Sequence, residues 1–144
     1  MRLGIFTALY GSLTLEQVIA QVHKLGISTV ELGTGGYPGD SHCKIEMLED
    51  AAARGEFQKK LGDGGISISA LSCHGNPLHP VREIREKFVN TSRRTILLAE
   101  KLGVKNVIDF SGCPGDSDTA KFPNWVTCPW PPDYTCLLYT SRCV

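Results

Sequence analysis

Apolar residues gather in four short runs, and stretches of helical periodicity separate them. Residues 2–9 form the first run, apolar and partly β-branched, which predicts a buried strand. Thr14-Leu15-Glu16-Gln17 then has the form of a capping box, with Thr14 able to accept from first-turn N–H groups and Gln17 able to reach back. Leu15, Val18, Ile19, Val22 and Leu25 recur at helical spacing as one apolar face, and Gly26 stands where a helix commonly ends in a left-handed residue. Ile27 to Leu32 is the second run, and Gly33 to Gly39 can continue neither element, so it is a loop. Residues 44–62 read as one helix or two short ones, interrupted near Gly55. Ile66 to Ser72 is a third strand, and Cys73 to Pro80 is the loop at its carboxyl end. Pro80 suits the first turn of a helix whose inward face carries Val81, Ile84, Phe88, Thr95, Leu98 and Leu102. Val104 to Phe110 is a fourth strand, followed by a loop rich in Pro, Gly and Trp from Ser111 to about Asp133.

An internal echo ties these elements together. Lys24-Leu25-Gly26-Ile27-Ser28-Thr29-Val30 recurs as Lys101-Leu102-Gly103-Val104-Lys105-Asn106-Val107, each a helix end, a glycine and a strand start. The spacing leaves room for two units of about 38 residues each, a reasonable βα length. Strands apolar on both faces, alternating with helices, predict a parallel sheet with right-handed crossovers. The fold class expected is α/β, with parallel βα units forming the N-terminal half of a TIM (β/α)8 barrel. At 144 residues the chain is too short for a complete barrel, which needs at least roughly 200.

The last nine residues, Cys136 to Val144, fit no element. Written back as DNA, Cys-Leu-Leu-Tyr-Thr-Ser can be TGT CTC TTA TAC ACA TCT, and Arg-Cys-Val with a stop can be AGA TGT GTA TAA. The second string begins the reverse complement of the first. The segment thus resembles a translated transposase mosaic end of the kind used in sequencing libraries, met by its own inverted copy. The expected organisation is therefore residues 1–135 as half a barrel and residues 136–144 as an artefactual tail.

Composition narrows the function classes. Lys plus Arg and Asp plus Glu are each 15, so net charge is zero, which argues against a generic polyanion binder. No apolar run reaches the roughly 18 residues of a membrane span. Met1 to Tyr10 has the outline of a weak signal peptide, but the helix start at Thr14 follows at once and favours a strand. The six cysteines show no CxxC and no zinc-type pairing, which suits scattered thiols in a reducing cytoplasm.

Ligands of parallel α/β folds bind at the carboxyl ends of the strands, so polar residues there are the candidates. The first strand offers Thr7 and Tyr10. His74, at the end of the third, can donate to a sugar oxygen, bind a divalent metal or relay a proton, or simply tie down its own loop. Asn76 before Pro77 is a hydroxyl ligand or a turn residue, and His79 most simply caps the next helix. Glu31 ends an apolar strand, where a carboxylate is costly unless it faces the mouth or has a partner. Asp109 on the fourth strand follows the same logic, with more weight on structure. Trp125 and Trp130 lie in the long loop, suited to stacking on a sugar face or to packing over the mouth. The loop Gly33-Thr34-Gly35-Gly36-Tyr37-Pro38-Gly39 can cradle a phosphate through exposed N–H groups, although it matches no nucleotide fingerprint, and a plain loop is the simpler account. His42 and His23 are read as a solvent-exposed or capping histidine and a solvated one.

Leu-Gly-Ile-Phe-Thr at residues 3–7, VELGTGGYPGDSHC, ISALSCHGNPLHP, AEKLGVKNV and FSGCPGDSDTAKFPNWVTCPWPPDY together resemble the bacterial sugar phosphate isomerase/epimerase group of the xylose isomerase-like TIM-barrel superfamily. The resemblance implies carbohydrate-like polyol substrates and an isomerase parent that stabilises an enediolate with a divalent metal ion such as Mn, Mg, Zn or Co. It places the metal ligands and catalytic bases mainly in the second half of the barrel. The catalytic and metal-binding residues are therefore not identified here, and no metal is expected on this stretch alone. Only His74 falls where related enzymes place a third-strand histidine. The substrate-binding candidates are His74, Glu31, Asn76, Trp125 and Asp109. A small-molecule sugar or polyol is the expected partner, without nucleic acid or membrane. The parent is expected in the cytoplasm and free to form a homo-oligomer. Two alternatives stand beside this reading. One is a metal-dependent phosphodiesterase like the apurinic endonucleases, disfavoured because the fourth strand ends Asp109-Phe110-Ser111 with no histidine. The other is a non-catalytic polyol-binding barrel. The tail reading has a direct check: the parent gene is expected to run on past Thr135 with other residues. An undisturbed genomic copy encoding the same nine residues before a natural stop would overturn it.

Overall fold

A computed structural model describes residues 3–124. The expectations for residues 125–144, Trp125, Trp130 and the terminal tail among them, lie outside the described residues. The chain divides into two units, one of Met1–Gly75 with Asn90–Asp109, the other of Asn76–Val89 with Phe110–Val144.

The first unit holds a four-stranded parallel sheet in the order β1 (Ile5–Phe6), β2 (Thr29–Gly33), β3 (Ser67–Ser72), β4 (Val107–Ile108). The helices between them are α1 (Leu15–Lys24), α2 (Ala51–Asp63) and α3 (Arg82–Leu102), the last beginning in the second unit. Sequential strand order has no reversal point, so right-handed crossovers put every helix on one face of the sheet. The core agrees: Val18 and Val22 of α1, Phe57 and Leu61 of α2, and Leu98 and Ala99 of α3 bury one cluster with Val30, Leu32 and Leu71. This is the α/β architecture of half a (β/α)8 barrel.

Local chemistry explains the boundaries. In the capping box, Gln17 N donates to Thr14 Oγ1 at 3.3 Å and Thr14 N to Gln17 Oε1 at 2.8 Å. All three helices end alike. Past each stands a glycine of positive φ, Gly26, Gly65 or Gly103, and the next amide donates back into the helix. Ile27 N reaches Val22 O at 3.1 Å, Ile66 N reaches Leu61 O at 2.9 Å, and Val104 N reaches Ala99 O at 2.9 Å. The echo seen in the sequence is thus one helix-stop device used three times.

Several boundaries and one helix face differ from expectation. β1 covers only Ile5–Phe6, because Thr7–Tyr10 winds into a 3-10 turn. The 44–62 stretch breaks at Glu49–Asp50 rather than at Gly55. Asp50 accepts from Ala53 N at 2.9 Å and starts α2 after a short 3-10 turn, Ile45–Leu48. β4 is two residues long, not seven. Ile84 of α3 is exposed, so the inward face is carried by Thr95, Leu98 and Ala99. Among the described residues no helix is long and apolar enough to cross a membrane.

In the second unit His79, expected to cap the next helix, ties the turn that leads into α3. Its ring is 2% exposed, and its Nδ1 accepts from Val81 N at 3.0 Å just before α3 begins. Arg85 Nη1 donates to His79 O at 2.8 Å. Burial pushes the His79 pKa below its ordinary value of 6.5, and the nearby Arg85 charge acts the same way. The Val81 N–H aimed at Nδ1 also favours the neutral ring, since a protonated Nδ1 cannot accept. A folded-state pKa below the unfolded one means that the unfolded chain takes up the proton first. The stability contributed by the neutral ring is therefore full above 6.5 and drains as pH falls below it. Urea unfolding is expected to show the wild-type midpoint falling more steeply than that of His79→Asn between about pH 7 and about pH 5. Parallel curves would contradict this.

Candidate functional site

Strand alternation sorts the sheet residues. Ile5, Val30, Leu32, Leu71 and Val107 pack with the helices. Phe6, Glu31, Ala70, Ser72 and Ile108 share the opposite face, as the register pairs Phe6 with Glu31, Glu31 with Ala70 and Ser72 with Ile108. The pairing of β2 with β3 slips between Val30 and Glu31. That slip brings Glu31 level with Ala70 and within reach of Ser72, whose hydroxyl donates to Glu31 Oε1. Glu31 Oε2 has no hydrogen-bond partner among the described residues, and the side chain is half-buried.

His74 follows two residues after Ser72 and is also half-buried. Its ring stands edge-on to Phe6, with centroids 6.1 Å apart and planes at 88°. Its main chain is tied on both sides. Tyr37 N donates to His74 O at 2.8 Å, and Gly75 N donates to Asp109 Oδ1 at 3.2 Å. Asp109 Oδ2 accepts from Ser92 Oγ of α3. A buried set of hydroxyls locks the adjoining strand ends: Thr34 Oγ1 lies 2.8 Å from Thr95 Oγ1 and donates to Ser72 O at 3.2 Å. Burial pushes the neighbouring Cys73 thiol up to about 11, helped by the Asp109 charge, so it is not a thiolate nucleophile at neutral pH.

The glycine-rich loop is a plain loop and not an anion cradle, the simpler of the two accounts. Its amides point at protein carbonyls: Thr34 N at Ser72 O, Gly35 N at Gly39 O, Tyr37 N at His74 O, and Gly39 N at Gly36 O. The glycines serve close approach instead. A Cβ on Gly36, at φ +67°, would lie 2.2 Å from His74 O. His42 is buried and its Nε2 lies 3.0 Å from Leu13 O, a structural tie rather than an exposed group. His23, read as solvated, is exposed but has its Nε2 2.7 Å from Gly64 O.

Glu31, His74 and Asp109 all lie in the first unit, Glu31 and His74 near Phe6 and Asp109 turned toward α3. Asn76 lies in the second unit, fully buried. Its Nδ2 donates to Cys113 O at 2.9 Å, and its Oδ1 accepts from Cys113 N at 2.8 Å and Leu78 N at 3.1 Å. That geometry is the turn residue of the two readings. Thr7, named at the first strand, is 1% exposed, and its Oγ1 has no hydrogen-bond partner among the described residues. Ser72, Phe6 and Ser92 were not foreseen. Ser72 depends on the register slip, which a period of two cannot reveal.

The fold and this carboxyl-end cluster define a parallel α/β chain with a histidine and a carboxylate at the sheet mouth. No family model matches the chain. It is 38% identical over 135 residues to the uncharacterized protein YfiH of Bacillus subtilis (strain 168), across 92% of this chain and 43% of YfiH. It is similar in structure to D-psicose 3-epimerase crystallised in the presence of D-fructose, with a TM-score of 0.51 and 18% identity. That match covers 76% of this chain and 37% of the epimerase. The chain thus spans less than half the length of either, and the second likeness is one of fold.

The close approach of the loop to His74 predicts a contrast between two glycines. Gly36→Ala adds a left-handed alanine and a clash with backbone, together about 2–5 kcal/mol of lost stability. Gly39→Ala, at φ +69° with nothing within 4 Å, carries only the conformational cost of about 1–2 kcal/mol. Urea midpoints for the two variants check this, and equal losses would refute it.

Proposed function

We propose that residues 1–135 of this chain supply the N-terminal half of a sugar isomerase or epimerase barrel, with its first four strands and the three helices between them, and that His74 and Glu31 contact the hydroxyls of a sugar or polyol. The observation that carries the reading is the His74 ring against Phe6 at the carboxyl end of a sheet similar in fold to that of an epimerase, with Glu31, the register partner of Phe6, in the middle of β2. In parallel βα folds this is the end that meets substrate.

Each side chain has a definite capability. A half-buried imidazole can donate to or accept from a sugar oxygen. The Ser72 hydroxyl holds one oxygen of Glu31, leaving Oε2 to accept from a substrate hydroxyl. Phe6 offers an apolar edge beside them. Epimerisation next to a carbonyl calls for proton-transfer groups on both faces of the carbon, which neither residue alone supplies, whereas isomerisation can use one base on one face. The described residues contain no group of three or more His, Cys, Asp or Glu that could hold a metal ion. They do not fit a divalent cation by themselves, and no step here runs through one. The parent's metal and bases belong to the remaining length that its relatives carry.

The expected behaviour is binding without turnover. In a D-fructose titration followed by NMR, the His74 ring and Glu31 carboxyl signals are expected to shift saturably, and His74→Ala to abolish the response. With added Mn²⁺ the chain is expected to release no second ketose or aldose. An unresponsive His74 would overturn the site, and turnover would overturn the division of labour.

A further inference from the structure

We infer that Asp109 is a positioning residue for His74 and not a sugar ligand. This rests on the proposed role of His74 and concerns the same site. The element that matters is one planar peptide group, the bond between His74 and Gly75. Its carbonyl accepts from Tyr37 N at 2.8 Å, from the loop after β2. Its N–H donates to Asp109 Oδ1 at 3.2 Å, from the end of β4. Bonds at opposite edges of a rigid plane fix its position and its rotation together, and so fix the Cα that carries the imidazole.

The carboxylate is itself held. Ser92 Oγ of α3 donates to Oδ2, so both oxygens of Asp109 face protein donors. Its neighbour Ile108 pairs with Ser72 on the face that carries Glu31, so alternation turns Asp109 the other way, toward α3. A sugar hydroxyl would have to displace Gly75 N–H or Ser92, and either loss would loosen the histidine it came to meet. On the other side the tie is a backbone amide, and the Gly36 Cα packs against the same carbonyl. Asp109 is therefore the side chain through which the hold on this peptide can be changed by substitution.

Amide hydrogen exchange and NMR on the 144-residue chain test this without a ligand. In Asp109→Ala, the Gly75 amide is expected to exchange about tenfold faster or more, the scale of a lost hydrogen bond to a charged group. The NOE between the His74 and Phe6 rings is expected to vanish. The Thr34 and Leu71 amides, bonded to Ser72 O and Asn106 O, are expected to keep their rates. Asp109→Asn should restore both signals, because a carboxamide can accept from Gly75 N–H and donate to Ser92 Oγ. If Asp109→Ala does not fold, Ser92→Ala is expected to speed Gly75 severalfold while Asp109→Asn does not. An unchanged Gly75 rate, a rise shared by all amides, or equal rates in Ser92→Ala and Asp109→Asn would overturn the inference. D-Fructose separates the two readings. No response to the sugar alongside the expected exchange pattern removes the polyol site and leaves the positioning role standing. A sugar-induced shift of the Asp109 carboxyl carbon, with Gly75 exchange normal in Asp109→Ala, makes it a ligand.

Discussion

A parallel strand cannot meet its neighbour through a tight turn; the chain must cross back, and here it does so through α1, α2 and α3. The rest of the first unit follows from that. Because the strands add in sequence order, the helices share one face, and the apolar cluster of Val22, Leu32, Leu71 and Leu98 forms there. Polar side chains on the other face and at the carboxyl edge are released from the core. The three left-handed glycines make the crossing repeatable, since each stops a helix and lets the next amide return a hydrogen bond to it. That the candidate residues gather near the carboxyl edge is then a consequence of topology before it is one of residue choice.

Much of this was legible in the sequence. The capping box, the glycine stops and the apolar periods are local signals, and local signals survive folding. Their boundaries were less so. Asp50 starts α2 through its side chain, which outweighs the more conspicuous Gly55. β4 is short because only Val107 and Ile108 find partners on β3, a fact about pairing that no single strand carries. The candidates at the mouth were found by one rule, polar residues at strand ends. That rule locates a residue without saying which way it faces. It named Glu31, His74 and Asp109 alike, and it could not foresee that the slip between Val30 and Glu31 hands Glu31 to Ser72. The glycine-rich loop left two uses open for a related reason. Glycine marks freedom of the backbone, and here that freedom is used to bring a chain against the His74 carbonyl rather than to expose amides.

The two carboxylates show how facing decides chemistry. Each accepts a hydroxyl from a serine, Ser72 for Glu31 and Ser92 for Asp109. A hydrogen bond of this kind fixes a rotamer, so it suits a ligand-binding acid and a structural one equally. What separates them is the second oxygen. In Asp109 it faces Gly75 N, and the carboxylate closes on the protein itself. In Glu31 it has no partner among the described residues, and the side chain lies on the face opposite the helices. That oxygen is left to solvent, as the partial exposure of the side chain allows. Facing thus separates the two acids: Asp109, just past β4, turns toward α3 and accepts from the Gly75 amide, and Glu31 lies on the face opposite the helices.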